Sequence, residues 1–329
     1  MRLISGPVLC NYYLTYRCNA SCGFCDIWEK PSPYARVETV RQHLQDLKRL
    51  GVKVVDFTGG EPLLHRQLPD LLQIAKEMGF VTTITTNCLL YPKQARGLAG
   101  LVDMLHFSLD ASSASVHDHM RGVACHSFVM KSIEIARQLG ERPDILFTVF
   151  EDNMEEIDRV YRQIVLPENL VLILNPVFDY NKVNTLGGLS QKNLDMLKVW
   201  AGKKNVYLNT AFIALREDGG NQTDRPVCRA GSSTVVISPE GKLVLPCYHL
   251  GLKHISLESG LYNTWKSAEV QRQIAMEGRH PGCQGCAINC YMQPSFAVSV
   301  NKYWFMALQG TLKYNWLKGT WKKMLPGQR

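Results

Sequence analysis

The sequence lacks the segments that would carry a chain into or across a membrane. Residues 1–9 have neither the apolar core nor the cleavage site of a signal peptide. No charge-free apolar run reaches the roughly 18 residues that a spanning helix needs. The eleven cysteines therefore belong to a chain without a secretory signal, where thiols stay reduced and bind metal rather than forming disulfides. We expect a cytoplasmic protein.

Acidic residues are missing from the last part of the chain. From Gly278 onward there are seven basic and no acidic residues, whereas up to Glu277 there are 30 basic and 29 acidic ones. The formal net charge of +8 therefore belongs to the tail and not to a distributed nucleic-acid surface. No nucleic-acid partner is expected.

The tail from Ser295 has an amphipathic pattern. At about 100° per residue, one broad helical face carries Val300, Trp304, Leu308, Leu312 and Trp316, and Lys318, Lys322 and Lys323 follow around Trp321. Basic residues and tryptophans without acids are typical of a helix on an anionic membrane surface. Such a helix would bring the protein to a lipid-like substrate. The other interpretation, which we slightly favour, is a C-terminal helix that packs on the rest of the protein or closes its active site.

Three cysteines near the N-terminus are packed into eight residues. Cys18, Cys22 and Cys25 form a C-x3-C-x2-C run with no fourth cysteine. Soft thiolates select iron–sulfur clusters and zinc over hard cations, and three of them can hold three irons of a cubane cluster. One iron would then be open for chemistry. Zinc is the alternative, but it would normally need a second pair of ligands.

The first half of the chain alternates between strand and helix patterns. Strands are predicted at 8–15, 52–57, 81–86, 103–109, 144–150 and 171–175, and helices at 37–50, 66–78, 92–100, 127–139 and 153–165. Such alternation predicts an α/β fold with a parallel sheet, either open or closed into a barrel. Active sites of these folds gather at the carboxyl ends of the strands, where Gly59, Gly60 and Glu61, then Asn87, then Ser108 are found.

A second set of cysteines follows residue 225. Cys228 precedes a predicted hairpin that Cys247 closes, and Cys283, Cys286 and Cys290 form a C-x2-C-x3-C run. Five cysteines in this arrangement predict a metal site, for which zinc is again an alternative because a hairpin plus C-x2-C also makes zinc ribbons.

The first cysteine run, with Phe24 before its last cysteine and GGEP at 59–62 after the next strand, resembles the signature of radical S-adenosylmethionine (SAM) enzymes. The resemblance implies a partial (β/α)6 TIM-like barrel and a [4Fe–4S] cluster whose open iron binds SAM. It further implies that Phe24 lies near the adenine, that the glycines and Glu61 help to seat SAM, and that Asn87, Ser108 and Arg121 contact it. Arg121 would pair with the SAM carboxylate.

The second cysteine set resembles a SPASM domain, or its shorter twitch form, which carries an auxiliary [4Fe–4S] cluster. The resemblance implies one such cluster with ligands among Cys228, Cys247, Cys283, Cys286 and Cys290, of which we favour the first four. We therefore divide the chain into a core barrel with its connection (1–225), an auxiliary-cluster domain (226–292) and a basic aromatic helical tail (293–329).

The implied function is an oxidoreductase or transferase that cleaves SAM reductively to a 5′-deoxyadenosyl radical, with a one-electron donor such as flavodoxin or ferredoxin. A first strand near residue 8 would leave no room for a leader-binding domain, which favours a small-molecule or lipid-like substrate over a peptide. The motif CYMQPSF at 290–296 is also similar to enzymes that add adenosyl groups to hopanoid lipids. Two alternatives stay open: a peptide- or protein-modifying maturase, and a non-catalytic zinc or iron–sulfur binding protein.

Overall fold

One ten-stranded sheet runs through the protein. The computed structural model describes residues 3–4, 6–178 and 188–319, and its strand order is β10-β9-β8-β1-β2-β3-β4-β5-β6-β7. The strands are β1 (Leu9–Thr15), β2 (Val54–Gly59), β3 (Val81–Thr86), β4 (Met104–Ser108), β5 (Asp144–Val149), β6 (Val171–Pro176), β7 (Val206–Tyr207), β8 (Thr234–Ile237), β9 (Leu243–Leu245) and β10 (Lys253–Ile255). Neighbours from β1 to β7 are parallel and follow chain order, as a partial (β/α)6 barrel requires.

Helices connect these strands. They are α1 (Val37–Leu50), α2 (Leu68–Glu77), α3 (Tyr91–Leu98), α4 (Ala114–Arg121), α5 (His126–Gln138), α6 (Met154–Val160), α7 (Gln191–Ala201), α8 (Thr210–Glu217), α9 (Ala230–Ser233), α10 (Leu261–Lys266), α11 (Ala268–Ala275), α12 (Asn289–Val298) and α13 (Lys302–Lys318). A π-helical segment, Tyr161–Val165, extends α6. The helical stretch before Cys283 is divided into α10 and α11, because Ser267 ends α10 and caps α11 by accepting from the Val270 N–H.

The two faces of the barrel strands differ in polarity. Outward side chains such as Tyr12, Phe57 and Phe107 share one apolar core with α1 and α2 residues such as Leu44 and Leu71. By register, the inward positions include nine polar residues beside apolar ones such as Leu146 and Ile173: Asn11, Asp56, Thr58, Thr83, Thr85, His106, Ser108, Thr148 and Asn175. A filled barrel is packed inside with bulky branched residues. The space that these inward side chains line, here called the chamber, therefore has a more polar wall than the interior of a filled barrel.

The hairpin that contains the second cysteine set belongs to the same sheet. β8 pairs in parallel with β1, from Leu9 opposite Thr234 to Tyr12 opposite Ile237, and β9 turns back antiparallel to β8. α12 then crosses from the β6–β7 side to the β9 side. Its Asn289 side chain donates to the Pro176 carbonyl at 2.7 Å, and the Tyr291 hydroxyl accepts from the Tyr248 N–H at 3.0 Å.

The C-terminal helix α13 packs across the amino ends of the strands. Asp144, the first residue of β5, is fully buried, and its carboxylate accepts a hydrogen bond from the Tyr314 hydroxyl at 2.5 Å and pairs with Lys318 Nζ at 2.9 Å. This contact supports the packing interpretation of the tail. The opposite side of α13 stays exposed, with Leu312 at 61% and Trp316 at 74%.

The predicted basic cluster around Trp321, with Lys322 and Lys323, lies outside the described residues. Within the described part of the chain, no helix is long and apolar enough to cross a bilayer.

Candidate active site

The first cysteine loop leaves the carboxyl end of β1 and is held there by the end of β2. The Gly60 N–H donates to the Thr15 carbonyl, and the Glu61 N–H donates to the Arg17 carbonyl, both at 2.9 Å. A Cβ atom on Gly59 would lie 2.0 Å from the Thr15 oxygen, and one on Gly60 would lie 2.1 Å from the Arg17 oxygen. The two glycines are therefore required by the close approach of the cysteine loop itself, whether or not a ligand also lies there.

Glu61 holds the ends of two strands together. One carboxylate oxygen accepts from the Leu63 N–H at 3.1 Å and the other from the Asn87 N–H at 2.9 Å. Burial raises the pKa of Glu61 to about 7. Its carboxylate thus positions the loops after β2 and β3, and a direct contact with SAM stays a prediction.

Asn87 connects the end of β3 to the cysteine loop. Its side-chain amide donates to the Asn19 side-chain oxygen at 2.8 Å and lies 3.9 Å from Cys18 Sγ. Its own oxygen accepts from the Leu89 N–H at 3.1 Å. Ser108 is buried at the end of β4, on the inner face at the same edge of the sheet.

The end of α4 clamps the cysteine loop from the other side. The Ser21 N–H donates to the Arg121 carbonyl at 3.2 Å, and the Gly23 N–H donates to the Met120 carbonyl at 3.3 Å. Gly122 has a φ of +63°, and a Cβ there would lie 2.4 Å from the Ser21 carbonyl oxygen. The sequence pattern did not identify α4 as a helix, so this clamp was not foreseen.

Arg121 already has a charged partner in this structure. Its Nη2 lies 2.6 Å from Asp110 Oδ2, and both side chains are buried. Its guanidinium also lies 5.2 Å from the centre of the Phe24 ring, which packs 5.0 Å from Phe150. Burial lowers the pKa of Arg121, but Asp110 more than compensates and raises it above its ordinary value. The Arg121 charge is therefore directed at Asp110 and the cysteine loop, and a pairing with the SAM carboxylate stays a prediction.

The three thiols suit an iron–sulfur cluster better than a single ion. Burial raises the pKa of Cys18 to about 12 and of Cys25 to about 11, so a strong positive centre is needed to bind them as thiolates. Each of these two sulfurs also accepts a backbone hydrogen bond, from Ala20 and Ile27 respectively. Ligands of one tetrahedral zinc ion lie about 4 Å apart. In the described residues, neither cysteine set brings three ligand atoms within 4.8 Å of one another. This spacing does not suit one ion, but it is compatible with a cubane, in which each cysteine binds a different iron.

The second cysteine set surrounds a small cavity. Four sulfur-bearing residues line it together with Pro246 and Ile288: Cys228, Cys247, Cys283 and Cys286. These are the four cysteines that we favoured as ligands. Cys290 is not among its lining residues in the described part of the chain and points elsewhere, with Sγ 3.6 Å from His249 Nε2.

Asn221 organises this second site, although no sequence pattern singled it out. Its oxygen accepts from the N–H groups of Val227 and Cys228, each at 3.0 Å. Its amide donates to the carbonyls of Gly278 and Cys283, at 2.9 and 3.1 Å. One buried side chain therefore fixes the first cysteine of the set relative to the C-x2-C turn 55 residues later.

An aromatic cluster separates the two cysteine sites. Tyr13 stacks on Tyr248 with ring centres 4.5 Å apart, Tyr16 packs against both, and the Tyr248 hydroxyl accepts from Lys30 at 2.8 Å. Cys25 and Cys247 both pack against the larger apolar cluster to which Tyr13 and Tyr16 belong. The two sites therefore share one apolar wall.

One group of side chains does have single-ion spacing, namely His117, Asp118 and Cys125. His117 Nδ1 accepts from the Asp110 N–H at 3.1 Å, so the neutral ring has its proton on Nε2, 3.3 Å from Cys125 Sγ. Asp118 accepts from the N–H groups of Cys125 and His126. The group is thus accounted for as the hydrogen-bonded joint between α4 and α5.

Comparison with known proteins agrees with this arrangement. The family model of the radical SAM superfamily matches residues 12–164. A 7-carboxy-7-deazaguanine synthase from Rhodopirellula baltica is 31% identical over 196 residues, which cover 56% of this chain and 68% of that protein. The chain belongs to the radical SAM superfamily. A PqqA peptide cyclase from Rhodopseudomonas palustris is 30% identical over 301 residues, or 83% of this chain and 78% of that one.

Solved structures of radical SAM proteins have the same fold. SuiB from Streptococcus suis, bound to S-adenosylmethionine, has a TM-score of 0.67 at 17% identity and covers 92% of this chain and 78% of its own. The protein anSMEcpe with bound AdoMet has a TM-score of 0.62 at 16% identity, covering 94% and 97%. At these identities the likeness shows the fold alone, which confirms the predicted TIM-like architecture.

Membership of the superfamily makes this chain an enzyme that uses a [4Fe–4S] cluster and SAM. The alternative of a non-catalytic zinc or iron–sulfur binding protein is therefore wrong. The names of the relatives refer to different classes of molecule, a carboxydeazaguanine that is synthesised and a peptide that is cyclised, so the family does not identify the substrate.

Proposed function

We propose that Cys18, Cys22 and Cys25 hold the catalytic cluster and that the open iron binds SAM. When bound, the cluster supplies the electron that cleaves SAM to a 5′-deoxyadenosyl radical. The observation that supports this most is the triple anchoring of the loop by the ends of β1, β2 and α4, since ligands of a reactive metal must be held rigidly. The backbone at Gly59 and Gly60, together with Phe24, Asn87, Ser108 and Arg121, would then seat SAM at the same edge.

We further propose a second [4Fe–4S] cluster bound by Cys228, Cys247, Cys283 and Cys286. Four thiols around one cavity provide full ligation, without an open iron. The spacing of their sulfurs argues against a single zinc ion. We retain the division of the chain into 1–225, 226–292 and 293–329 as part of this proposal, with the second unit extending the barrel sheet through β8.

The substrate that fits best is a polar small molecule. The chamber wall offers hydroxyl, amide, imidazole and carboxyl groups from at least five strands. Some of these groups already have partners in the protein, such as Thr85 with His106 at 3.3 Å and Asn175 with Asn289 at 2.6 Å. An apolar chain would leave the others without hydrogen bonds, which costs about 1–3 kcal/mol for each such group. A lipid-like substrate is therefore less favoured, and the exposed face of α13 lies at the opposite end of the strands from the cysteine loop.

Modification of a peptide is the second candidate. It is favoured by the PqqA peptide cyclase, which resembles this chain over 78% of its own length. A peptide also carries polar groups that the chamber wall could bind. For either substrate class the cluster requires a one-electron donor, for which flavodoxin or ferredoxin is suitable.

Peripheral membrane contact is the remaining part of the proposal. The exposed side of α13 carries Phe305, Leu312 and Trp316. Lys322 and Lys323 follow in the sequence, whereas Lys318 is engaged by Asp144. Such a surface suits an anionic bilayer, and it would locate the enzyme rather than deliver its substrate.

Iron analysis tests the two-cluster assignment. The anaerobically reconstituted protein should contain about eight irons per chain, and replacing Cys18, Cys22 and Cys25 by alanine should leave about four and abolish 5′-deoxyadenosine formation. Cys10→Ala is the matched control, because Cys10 is buried in the helix-facing core and should leave both quantities unchanged. Iron that falls to zero in the triple variant, or zinc in its place, would contradict the assignment.

Extracts of a deletion strain test the substrate class. A change confined to the aqueous extract, with a soluble precursor accumulating, would support a polar small molecule. A precursor that accumulates in the organic phase would favour a lipid, and an unmodified peptide would favour the second candidate.

A further inference from the structure

Cys290 differs from the other ten cysteines in its surroundings. Cys10, Cys88 and Cys125 are fully buried, three cysteines belong to the first loop, and four line the cavity of the second set. Cys290 is exposed. The residues around it are tied to the inner wall: the Asn289 side-chain amide donates to Asn175 Oδ1 on the inner face of β6 at 2.6 Å, and Tyr248, beside His249, stacks on Tyr13 near the carboxyl end of β1. Cys290 therefore lies between the carboxyl ends of β1 and β6, at the edge of the chamber next to the second cysteine site.

The thiol has a defined environment there. Cys290 Sγ lies 3.6 Å from His249 Nε2, within hydrogen-bonding distance for sulfur. The His249 ring is held edge-on by Phe178, Tyr248 and Tyr291, with ring centres 5.3 to 5.7 Å away. The turn after β9 carries His249, and the first turn of α12 carries Cys290, so two separate elements place the pair.

We propose that Cys290, positioned by His249, is a hydrogen-atom donor to carbon radicals formed in the chamber and is not a ligand of the second cluster. A thiol is the side chain suited to this step because its S–H bond is weaker than the C–H and O–H bonds around it. The polar inner wall marks the interior as the place where a substrate binds, and the pair lies on the side of that chamber nearest the second site.

The step moves one hydrogen atom. The carbon radical forms a C–H bond, the Cys290 S–H bond breaks homolytically, and a thiyl radical remains. One electron, from the reduced second cluster or from an added reductant, and one proton from water return the thiyl radical to the thiol. The step rests on the proposed function, because it needs a radical generated at the first cluster.

Thiol labelling tests the location of Cys290 independently of any reaction. The reconstituted protein is treated anaerobically with iodoacetamide, digested and analysed by mass spectrometry, alongside its iron content. Cys290 should be the one alkylated position among the described residues of the wild type, and Cys290→Ala and Cys290→Ser should each retain about eight irons per chain. A loss of about four irons from either variant would show that Cys290 is a cluster ligand and would overturn the proposal, as would the absence of label on Cys290.

Deuterium transfer tests the chemistry without knowledge of the substrate. The loaded enzyme is incubated with SAM and dithionite in D2O, without added thiols or substrate, so that the adenosyl radical must take its hydrogen from the chamber. The exchanged Cys290 thiol should place one deuterium in 5′-deoxyadenosine, and Cys290→Ser, which keeps a polar side chain of similar size but has a strong O–H bond, should lower that deuterium content at least fivefold. Equal deuterium in wild type and Cys290→Ser would overturn the proposal. If the wild type yields no 5′-deoxyadenosine, the proposed function itself fails, and the labelling result still decides where Cys290 lies.

Discussion

Replacing Asp110 by asparagine removes the negative charge that pairs with Arg121. The two side chains meet at 2.6 Å with 0% and 9% of their surfaces exposed, so water cannot take the place of the lost carboxylate. Removing one partner of a buried ion pair costs about 3–5 kcal/mol, because the remaining charge stays buried without compensation. The Asp110 carboxylate also accepts from the Thr148 N–H at 2.8 Å, a bond that the asparagine oxygen can keep, so the loss reports mainly on the charge.

Urea unfolding of the cluster-free protein measures this loss directly. Asp158→Asn is the matched control, since the Arg162–Asp158 pair has a similar separation of 2.8 Å but both side chains are more than half exposed, and such pairs contribute about 0–1 kcal/mol. The double variant Asp110→Asn with Arg121→Gln should recover part of the lost stability, because no buried charge is then left alone. The clamp on Ser21 and Gly23 should loosen in Asp110→Asn, which should lower the iron retained after reconstitution. The reasoning is refuted if Asp110→Asn costs no more than Asp158→Asn.

Three further outcomes are expected. Gly60→Ala should abolish binding of the first cluster while leaving about four irons at the second, because the new Cβ would lie 2.1 Å from the Arg17 carbonyl oxygen. Gly97→Ala is the control, since the nearest atom to a Cβ there is 3.8 Å away. Equal iron contents in the two variants would contradict the expectation. Burial raises the pKa of Glu61 from 4.5 to about 7, so between these pH values the folded state holds a proton that the unfolded state has lost. The free energy of unfolding should therefore fall as pH rises from about 4.5 to about 7 and then level off. Glu61→Gln should remove this component of the pH dependence. Lys318→Met should lower the free energy of unfolding by about 3–5 kcal/mol, because the buried Asp144 charge loses its ammonium partner. The control, Leu312→Ser on the exposed side of α13, should change the free energy of unfolding by less than about 0.5 kcal/mol. A similar loss in both variants would mean that α13 is not held by Asp144.

Strong periodicity made the barrel predictable. The apolar spacing in Val37–Leu50 and the short β-branched runs gave elements that agree with the structure to within one or two residues, as with α1 and β3. α4 was missed because the residues it buries are polar, His117 and Arg121. α8 was missed because its buried residues Ala211, Phe212 and Ile213 are consecutive and do not have helical spacing. The continuation of the barrel by β8 could not be predicted, because strand pairing between Cys10 and Val235 leaves no local signal in either segment.

The cysteine sites were accessible to sequence reasoning for a different reason. Spacing alone brings Cys18, Cys22 and Cys25 into one loop, and the favoured four of the later five cysteines do line one cavity. The supporting residues were less accessible. Asn221 acts through backbone groups far apart in sequence, and the pairing of Arg121 with Asp110 depends on how α4 packs over β4, which no motif encodes.

The position of α13 has a consequence for the synthesis of the protein on the ribosome. Asp144 meets Tyr314, which is translated 170 residues later, or roughly 10–30 s later at typical elongation rates. During that interval the nascent barrel has an acidic group at its floor with neither the hydroxyl nor the ammonium that will later bind it. Folding that depends on so distant a contact is slow to complete, so we expect the emerging chain to depend on holding factors until α13 has been made.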